Sequence, residues 1–406
     1  MKFSLRNTFA ALAYRNYRYW FIGQIISLLG TWMQITAQGF LVYQLTHSSA
    51  FLGYVGFAMG IPVWMFSSFA GVLADRYSKR TILIYTQAAQ MILAILLTVL
   101  TFTHIIQPWQ IIILAFFLGV VSAFDAPARQ SFVLEMVDRE VLVNAIALNS
   151  TMFNTGTAVG PALAGIAYAL WGPGWCFAIN AVSFIGVIIA LSLMKLPLHI
   201  KPEKQTSAFS QLIEGFKYMR EQKLIIAIMV LVMFTCMFSL SFSTILPAWS
   251  VKVLHGGAAM NGFLQSARGI GSVVSALGLA TYSHYKKKGM LITISSFILP
   301  IVMSLFSAFP FASASLVFLF GQGFFTLIVL NLANGIVQTT VADEFRGRVM
   351  GIYSMTFMGF MPIGALIMGT LADKFGEAET VRIHAVILLI VAGLIYHRIP
   401  QLRGKK

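Results

Sequence analysis

Long apolar stretches separated by short polar connections make up most of this chain. Each stretch holds close to the roughly 20 apolar residues that a helix needs to cross the hydrocarbon core of a bilayer. The pattern therefore predicts an all-α membrane protein with twelve transmembrane helices. We number the predicted spans 1 to 12 in chain order: residues 19–44, 51–74, 81–103, 109–133, 144–169, 175–194, 224–249, 258–283, 289–309, 313–340, 347–372 and 381–398.

The distribution of charge predicts how these spans are oriented. Only 10% of the 406 residues are charged, whereas 58% are hydrophobic. Most of the 28 Lys and Arg residues fall near the two termini and in every second connection. The positive-inside rule then places both termini in the cytoplasm. The net charge of +15 faces anionic lipid in this arrangement, so it gives no reason to expect a nucleic-acid partner.

A weak internal duplication predicts two pseudo-symmetric halves. One set of residues in span 5 recurs at a constant shift in span 11: Ser150, Phe153, Gly160, Gly165 and Gly172 become Ser354, Phe357, Gly364, Gly369 and Gly376. We therefore expect six-helix bundles at 1–194 and 224–406, joined by a cytoplasmic loop at 195–223. Parallel halves of this kind are one known transporter plan. Within the loop, 208–220 has the spacing of a short amphipathic helix that lies along the membrane surface.

Two motifs carry the most specific information in the sequence. The first, at the end of span 2, is Gly71-x-Leu-Ala-Asp75-Arg76-x-x-Lys79-Arg80. A glycine at 71 lets two helices approach closely. Asp75 can meet the positive end of a neighbouring helix or an arginine. The three basic residues anchor the turn among lipid headgroups, which is also all that a plain topogenic turn would do.

The second motif lies in span 5 and reads Gly156-Thr-Ala-Val-Gly160-Pro161-Ala-Leu-Ala-Gly165. Gly156 and Gly160 form a small-xxx-small face that suits close helix packing. Pro161 removes one backbone donor and bends the helix. We therefore expect a bent, tightly packed helix between the two halves, although ordinary membrane-helix packing also accounts for these residues.

Both motifs resemble signatures of the major facilitator superfamily. The first is similar to its helix 2–3 signature, which in the family latches the cytoplasmic gate, although Ser78 replaces the usual glycine. The second is similar to the antiporter signature of exporters, with Ala164 where that pattern doubles its last glycine. Segments 124–130 and 346–350 look like the subfamily that contains the enterobactin exporter and macrolide-efflux proteins. The arginine signature expected in helix 4, around 116–119, is absent.

Ionisable residues within the spans are few. Asp125 and Arg129 lie one helical turn apart near the end of span 4, so an ion pair is expected. Asp125 is a candidate for proton coupling with Arg129 as its modulator, and a purely structural pair is the alternative. Arg268 lies near the middle of span 8, where an arginine is costly unless it meets a partner or a watery cavity. It can bind an anionic substrate group, or it can pair with a polar neighbour and stabilise the fold.

The resemblance also implies where a substrate binds, because helices 1, 4, 7 and 10 line the cavity in this family. The matching spans carry neutral hydrogen-bonding groups and aromatic rings, which suit a bulky amphipathic ligand. The candidates are Trp32, Gln34, Phe238, Asn331, Asn334 and Gln338, with Arg268 from span 8. Each of them can instead be an interhelical hydrogen bond or a packing residue.

Other kinds of site are not indicated. The sequence has no metalloprotease motif, nucleophile elbow or phosphate-binding loop, so we expect neither an enzyme nor a nucleotide-driven pump. Cys176 and Cys236 lie in different spans and suggest packing residues. All seven histidines are placed in loops or at span ends, and they do not suggest metal ligands. No cofactor or metal is expected.

These features together predict a secondary transporter of the bacterial inner membrane that works as a monomer by alternating access. The predicted activity is proton-coupled export of a siderophore, drug or similar amphipathic or anionic small molecule, with protons and membrane lipids as further partners. Two alternatives stay open: a lipid or lysolipid flippase of the same fold, and a non-transporting membrane scaffold or receptor. The largely intact helix 2–3 motif and Arg268 argue against the scaffold or receptor.

Overall fold

A computed structural model describes residues 9–194, 208–281 and 288–400, without the side chains of Ser68, Val72, Asp75 and residues 208–212. Every regular element in these ranges is a helix. We number the long helices α1 to α12: Arg15–Thr46, Ser49–Arg76, Lys79–Phe102, Pro108–Phe132, Leu142–Trp171, Pro173–Leu193, Lys223–Phe238, Ala258–Thr281, Lys288–Ala308, Ala312–Thr340, Asp343–Phe375 and Glu377–Arg398. Ala208–Arg220 is the connecting helix.

Ten helices in the described part of the chain are long and apolar enough to cross a membrane. Helices α5 and α8 are long enough but less apolar, and they are not among the ten. Asparagines in α5 and the segment around Arg268 in α8 account for the difference. The membrane fold is therefore as expected, while the count of twelve spans stays a prediction.

The first six helices and the last six pack in the same order. Helix α1 packs against α5 and α6, α2 against α4, and α3 against α4 and α6. Likewise, α7 packs against α11 and α12, α8 against α10, and α9 against α10 and α12. We call α1–α6 the N-terminal half and α7–α12 the C-terminal half. The domain bounds 1–194, 195–223 and 224–406 stay predictions, and 195–207 lies outside the described residues.

The halves meet along two seams, α2 with α11 and α5 with α8. Both seams are built on glycines. A Cβ added to Gly369 would lie 2.5 Å from the carbonyl oxygen of Ser49, and one added to Gly262 would lie 2.4 Å from that of Pro161. Small residues let helix backbones approach this closely in lipid, where packing rather than the hydrophobic effect drives association. Larger side chains at these positions would force the halves apart.

The two ends of the bundle carry different connections. We call the end with the α2–α3 connection and the connecting helix the basic end, and the end with the α1–α2 connection the opposite end. At the basic end, the connecting helix docks on α11. Glu214 pairs with Arg348 at 2.8 Å, and the ring of Tyr218 stacks on Phe345 with centroids 4.5 Å apart. The connecting helix is therefore fixed to the C-terminal half.

This docking corrects the expected amphipathic pattern. Met219, which helical spacing places on the same apolar face as Ile213 and Phe216, is 6% exposed and belongs to the core of the C-terminal half. Ile213 and Phe216 keep 55% of their surface exposed. The helix thus has two apolar faces, one buried against α11 and one left for the membrane surface.

Helix α7 is irregular beyond Phe238. A 3-10 segment at Leu240–Ile245 follows, and then a π-helical turn at Trp249–Val253. The side-chain amide of Gln322 donates to the Ser239 carbonyl oxygen at 2.9 Å, which gives this interrupted backbone a partner. Broken helices at membrane depth are tolerated where protein buries them or where they line a cavity.

Candidate functional site

A cavity with a volume of about 930 Å³ lies mainly between α1, α4 and α5. We call it the main cavity. It runs from the middle of α1 toward the basic end, where α4 ends and α5 begins. Seven carboxamide side chains line it: Gln34, Gln90, Gln130, Asn149, Asn154, Asn180 and Asn331. Each amide offers both donors and acceptors, so the wall can bind many neutral polar groups at once.

Asp125 and Arg129 lie in the wall of the main cavity. The structure brings the two together as an ion pair within one turn of α4. Asp125 is 1% exposed, and its other oxygen accepts from the Thr86 hydroxyl at 2.8 Å and the Gln87 amide at 2.9 Å. Three donors from two helices thus hold this carboxylate, while Arg129 stays partly exposed to the cavity.

A smaller pocket of about 320 Å³ continues from the main cavity, and Ile35 and Met59 line both. We call it the inner pocket. It lies between the halves, with walls from α1, α2, α8, α11 and the irregular segment that follows α7. Its lining is mostly apolar and includes Met358 and Met361. Flexible, polarisable methionine side chains adapt to ligands of different shape. Together the two spaces form a polar chamber with an apolar extension.

The predicted cavity residues separate into two groups. Gln34 and Asn331 line the main cavity. Trp32 lines neither space, because its ring packs on α5. A Cβ added to Gly160 would lie 2.5 Å from the Cβ of Trp32, and one added to Gly156 would lie 2.8 Å from its Cδ1. These two glycines therefore make room for α1 within the N-terminal half, and they do not face the other half.

The remainder of the second motif does reach the other half. The carbonyl of Thr157 lacks its usual helical donor, because residue 161 is proline. That oxygen would lie 2.4 Å from a Cβ at Gly269 in α8, and a Cβ at Gly165 would lie 2.7 Å from the Ala258 carbonyl oxygen of α8. One motif thus packs α5 against α1 on one face and against α8 on the other.

Phe238 is the clearest correction among the cavity candidates. It is 6% exposed in the core of the C-terminal half, where its ring meets His384 edge-on at 4.6 Å. His384 itself is fully buried in α12. The expectation that every histidine lies in a loop or at a span end is wrong for this residue. The orientation of α7 about its own axis points the Phe238 side chain into the core and away from the cavity. The boundaries of a span do not predict this orientation.

Arg268 is partly buried between α8 and α10, where its Cγ lies beside Gly323. It does not appear in the walls of the main cavity or the inner pocket, although Gln265 and Ala276 of the same helix do. Within the described residues no carboxylate pairs with Arg268, and its Nε makes no hydrogen bond. Substrate contact and a structural role for Arg268 therefore both stay predictions.

Asn334 and Gln338 lie farther along α10, toward the basic end. The Gln338 amide donates to Asn334 at 2.7 Å, and Arg346 donates to the Gln338 carbonyl oxygen at 3.1 Å. The two side chains thus bond to each other within α10, while the backbone carbonyl of Gln338 connects α10 with the start of α11. Neither residue appears among the lining residues of the main cavity.

The residues of the first motif are only partly engaged. Lys79 pairs with Glu135 just after α4, and Arg80 donates to the Ser192 carbonyl oxygen at 2.7 Å. Arg76 is exposed. A Cβ at Gly71 would meet nothing within 4 Å, so the expected close approach of helices is not present here. The side chain of Asp75 lies outside the described part.

The sequence reasoning missed several polar residues of this site. Thr86, Gln87 and Gln90 of α3 lie behind and beside Asp125, and Asn149 and Asn154 lie in the cavity wall of α5. Their spacing along otherwise apolar spans was a usable signal. In the described part of the chain no cluster of His, Cys, Asp and Glu could hold a metal ion, and both cysteines are buried.

Comparisons with known proteins agree with this geometry. Residues 6–405 match the family described as transmembrane secretion effector. The staphyloferrin A transporter of Staphylococcus aureus is 27% identical, with 93% of this chain and 95% of the relative covered. Macrolide efflux protein A of Streptococcus pyogenes is 22% identical (91% and 92% covered), and the enterobactin exporter of Salmonella choleraesuis is 24% identical (94% and 92% covered).

Solved structures show the same fold. The nucleoside transporter NupG superimposes with a TM-score of 0.74 at 16% identity, covering 96% of this chain and all of that one. A bacterial homologue of the human lysosomal transporter Spinster, in an inward-facing conformation, gives 0.71 at 13% identity, covering 97% and 99%. The chain is thus an integral membrane transporter, not an enzyme, and it belongs to the transmembrane secretion effector family of the major facilitator superfamily.

Proposed function

We propose that this protein is a proton-coupled exporter of amphipathic small molecules, of the siderophore or drug type, and that it works by alternating access. The observation that supports the proposal most is the pairing of a carboxamide-lined main cavity with an apolar inner pocket between the halves. The volumes lie in the range of about 300–1,000 Å³ that is usual for small-molecule sites. A ligand with many carbonyl or hydroxyl groups and one apolar portion fits both spaces.

The membrane arrangement in this proposal follows the sequence. All twelve long helices cross a bacterial inner membrane, the basic end and both termini face the cytoplasm, and the protein is a monomer. The main cavity then approaches the cytoplasmic side, where an exporter collects its substrate.

Asp125 is the proposed proton site. A proton on this carboxyl group competes with Arg129 for the same oxygen, because a neutral acid holds a guanidinium less strongly than a carboxylate does. Arg129 is then released toward the cavity, where it can bind an anionic group of the substrate. Proton binding and substrate binding are coupled through this exchange of partners. Arg268 is a second candidate contact for an anionic substrate group, since it lacks a partner in the described residues. Its helix, α8, also carries residues that line the main cavity and the inner pocket.

The test is transport in liposomes with an imposed pH gradient, using catecholate and carboxylate siderophores, macrolides and labelled lysolipids. We expect gradient-dependent movement of a soluble compound, with loss of the gradient dependence in Asp125→Asn. Asp138→Asn, which alters an exposed carboxylate at the same end, is the matched control. Normal gradient-driven transport by Asp125→Asn would refute the coupling role.

One observation favours the flippase alternative, which is why the liposome experiment includes labelled lysolipids. An apolar groove of about 520 Å³ lies on the outer surface of the N-terminal half between α1, α5 and α6, lined by Gly30, Leu163 and Trp175 among others. Such a groove can hold an acyl chain. Movement of lysolipid alone in the same liposomes would favour the flippase.

A further inference from the structure

At the opposite end of the bundle, a carboxylate of one half caps a helix of the other. Asp373, near the end of α11, accepts from the backbone N–H of Ser49 and from the hydroxyl of Ser48, each at 2.6 Å. Ser48 is the N-cap residue of α2, and its own side chain makes no capping hydrogen bond. The positive end of α2 thus receives its anionic cap from the C-terminal half.

A second carboxylate strengthens the same contact. Glu377, the first residue of α12, is 6% exposed. It accepts from the Ser49 hydroxyl at 2.8 Å and pairs at 2.9 Å with Lys252, which lies in the π-helical turn after α7. The Lys252 ammonium also lies 5.8 Å from the centre of the Tyr43 ring in α1. We call Tyr43, Ser48, Ser49, Lys252, Asp373 and Glu377 the outer clamp.

The outer clamp sits at one end of the antiparallel α2–α11 seam, and the seam is packed along only part of its length. From the clamp inward, Gly53 lies against Gly369, and farther on Gly60 lies against Pro362. Near the basic end the packing stops. A Cβ added to Gly71 or to Gly351 would meet nothing within 4 Å. Continuing the same register places these two glycines opposite each other, so the helices have diverged where they could meet.

The sequence marks both ends of this seam with the same motif. Helix α2 ends in Gly71-Val-Leu-Ala-Asp75, and α11 ends in Gly369-Thr-Leu-Ala-Asp373. Because the two helices are antiparallel, the copies lie at opposite ends of one seam. The copy in α11 is engaged in the outer clamp, whereas the glycine of the copy in α2 is uncovered.

We infer that the outer clamp is the gate of the opposite end, and that Asp373 and Glu377 must release α2 before the cavity can open on that side. They are positioning residues of the transport cycle and need not touch the substrate. This inference rests on the proposed alternating-access cycle. In the present conformation the clamp is closed, and the seam near the basic end is open.

The test measures the two ends directly, with spin-label pairs on exposed positions in lipid nanodiscs. Leu45→Cys with Phe375→Cys reports on the opposite end, and Tyr77→Cys with Glu344→Cys reports on the basic end. The native cysteines are buried and should not react. Loss of one cap corresponds to roughly a fivefold change in an equilibrium. We therefore expect Asp373→Asn and Glu377→Gln each to raise the open fraction at the opposite end about fivefold, with a shorter distance at the basic end.

The matched control is Glu379→Gln, which breaks an exposed ion pair with Arg382 inside α12 at the same end. It should leave both distances unchanged. Distances in the Asp373→Asn, Glu377→Gln double variant equal to those of the control would overturn the inference.

If these variants fail to fold, a cross-linking experiment replaces them. A bifunctional maleimide that joins Leu45→Cys to Phe375→Cys should hold the outer clamp closed. Unhindered opening of the opposite end in the cross-linked chain would equally overturn the inference. Distances that respond as expected without transport of any compound would refute the proposed function alone.

Discussion

The Cβ of Trp32 packs directly on the backbone of Gly160, so that α1 and α5 touch where a side chain would otherwise stand. The same glycine belongs to the exporter-type motif in α5. Its contact shows that part of this motif serves the interior of one half. Packing inside a half should matter for folding, whereas packing between halves should matter for the transport cycle.

Replacement of Gly160 by alanine should therefore destabilise the protein. The added Cβ would lie 2.5 Å from the Cβ of Trp32, so one helix must shift. Overpacking of this kind costs about 1–3 kcal/mol. The thermal unfolding midpoint in detergent should fall accordingly. Gly186→Ala in α6 is the control, because its Cβ meets nothing within 4 Å. Equal midpoints for the two variants would contradict the contact.

Thr86→Val should lower the stability of the protein and slow transport, because it removes a hydrogen bond to Asp125. The change keeps the shape of the side chain but removes a hydroxyl that donates to the carboxylate at 2.8 Å. Hydrogen bonds to charged groups contribute about 1.5–3 kcal/mol. We expect a loss of stability in that range and a several-fold slower transport rate. Thr98→Val is the control, since that hydroxyl bonds only within α3, to the Ala94 carbonyl oxygen. The idea fails if both variants transport equally well.

Tyr218→Ala should release the connecting helix from α11. The stacked pair with Phe345 is lost, and aromatic pairs contribute about 0.5–1.5 kcal/mol beyond their burial. Limited trypsin digestion at Lys217, Arg220 and Lys223 should become several-fold faster. Phe216→Ala on the same helix removes a ring that is 55% exposed, and it should change the digestion little. Similar digestion of Tyr218→Ala and the parent protein would rule out the docking.

Tyr14 gives a pH-dependent contact outside the spans. Its phenol donates to Asp138 at 2.7 Å, and this hydrogen bond is the main reason that the pKa of Tyr14 is raised from 10.0. A raised pKa in the folded state means that the contact contributes fully below pH 10 and is lost as the pH rises through the elevated value. In an NMR titration of ¹³C-labelled tyrosine, Asp138→Asn should move the Tyr14 pKa back toward 10. An unchanged titration would show that Asp138 is not the cause.

Local features of this protein were readable from the sequence, and the rotation of each helix was not. The Asp125–Arg129 pair follows from helical spacing within one span, and the structure forms it. The burial of Phe238 and the contact of Trp32 with α5 depend on which face each helix turns to its neighbours. That rotation is set by residues far away in the chain.

One repeated motif could have been recognised from the sequence but was not. The second copy of Gly-x-Leu-Ala-Asp at Asp373 is as legible as the first at Asp75. What the sequence could not supply is the partner of Asp373, because the cap on Ser49 joins residues more than three hundred positions apart. Antiparallel pairing of α2 with α11 creates that contact.

The low apolarity of α5 and α8 has a consequence for biosynthesis. A helix that is not apolar enough to partition into lipid by itself needs protein neighbours. Helix α5 leaves the ribosome well before α8, the helix that covers one of its faces. During that interval the polar face of α5 has only the N-terminal half to shelter it. We therefore expect the newly made chain to complete insertion of α5 late, so that packing of the α5–α8 seam is the last step of assembly.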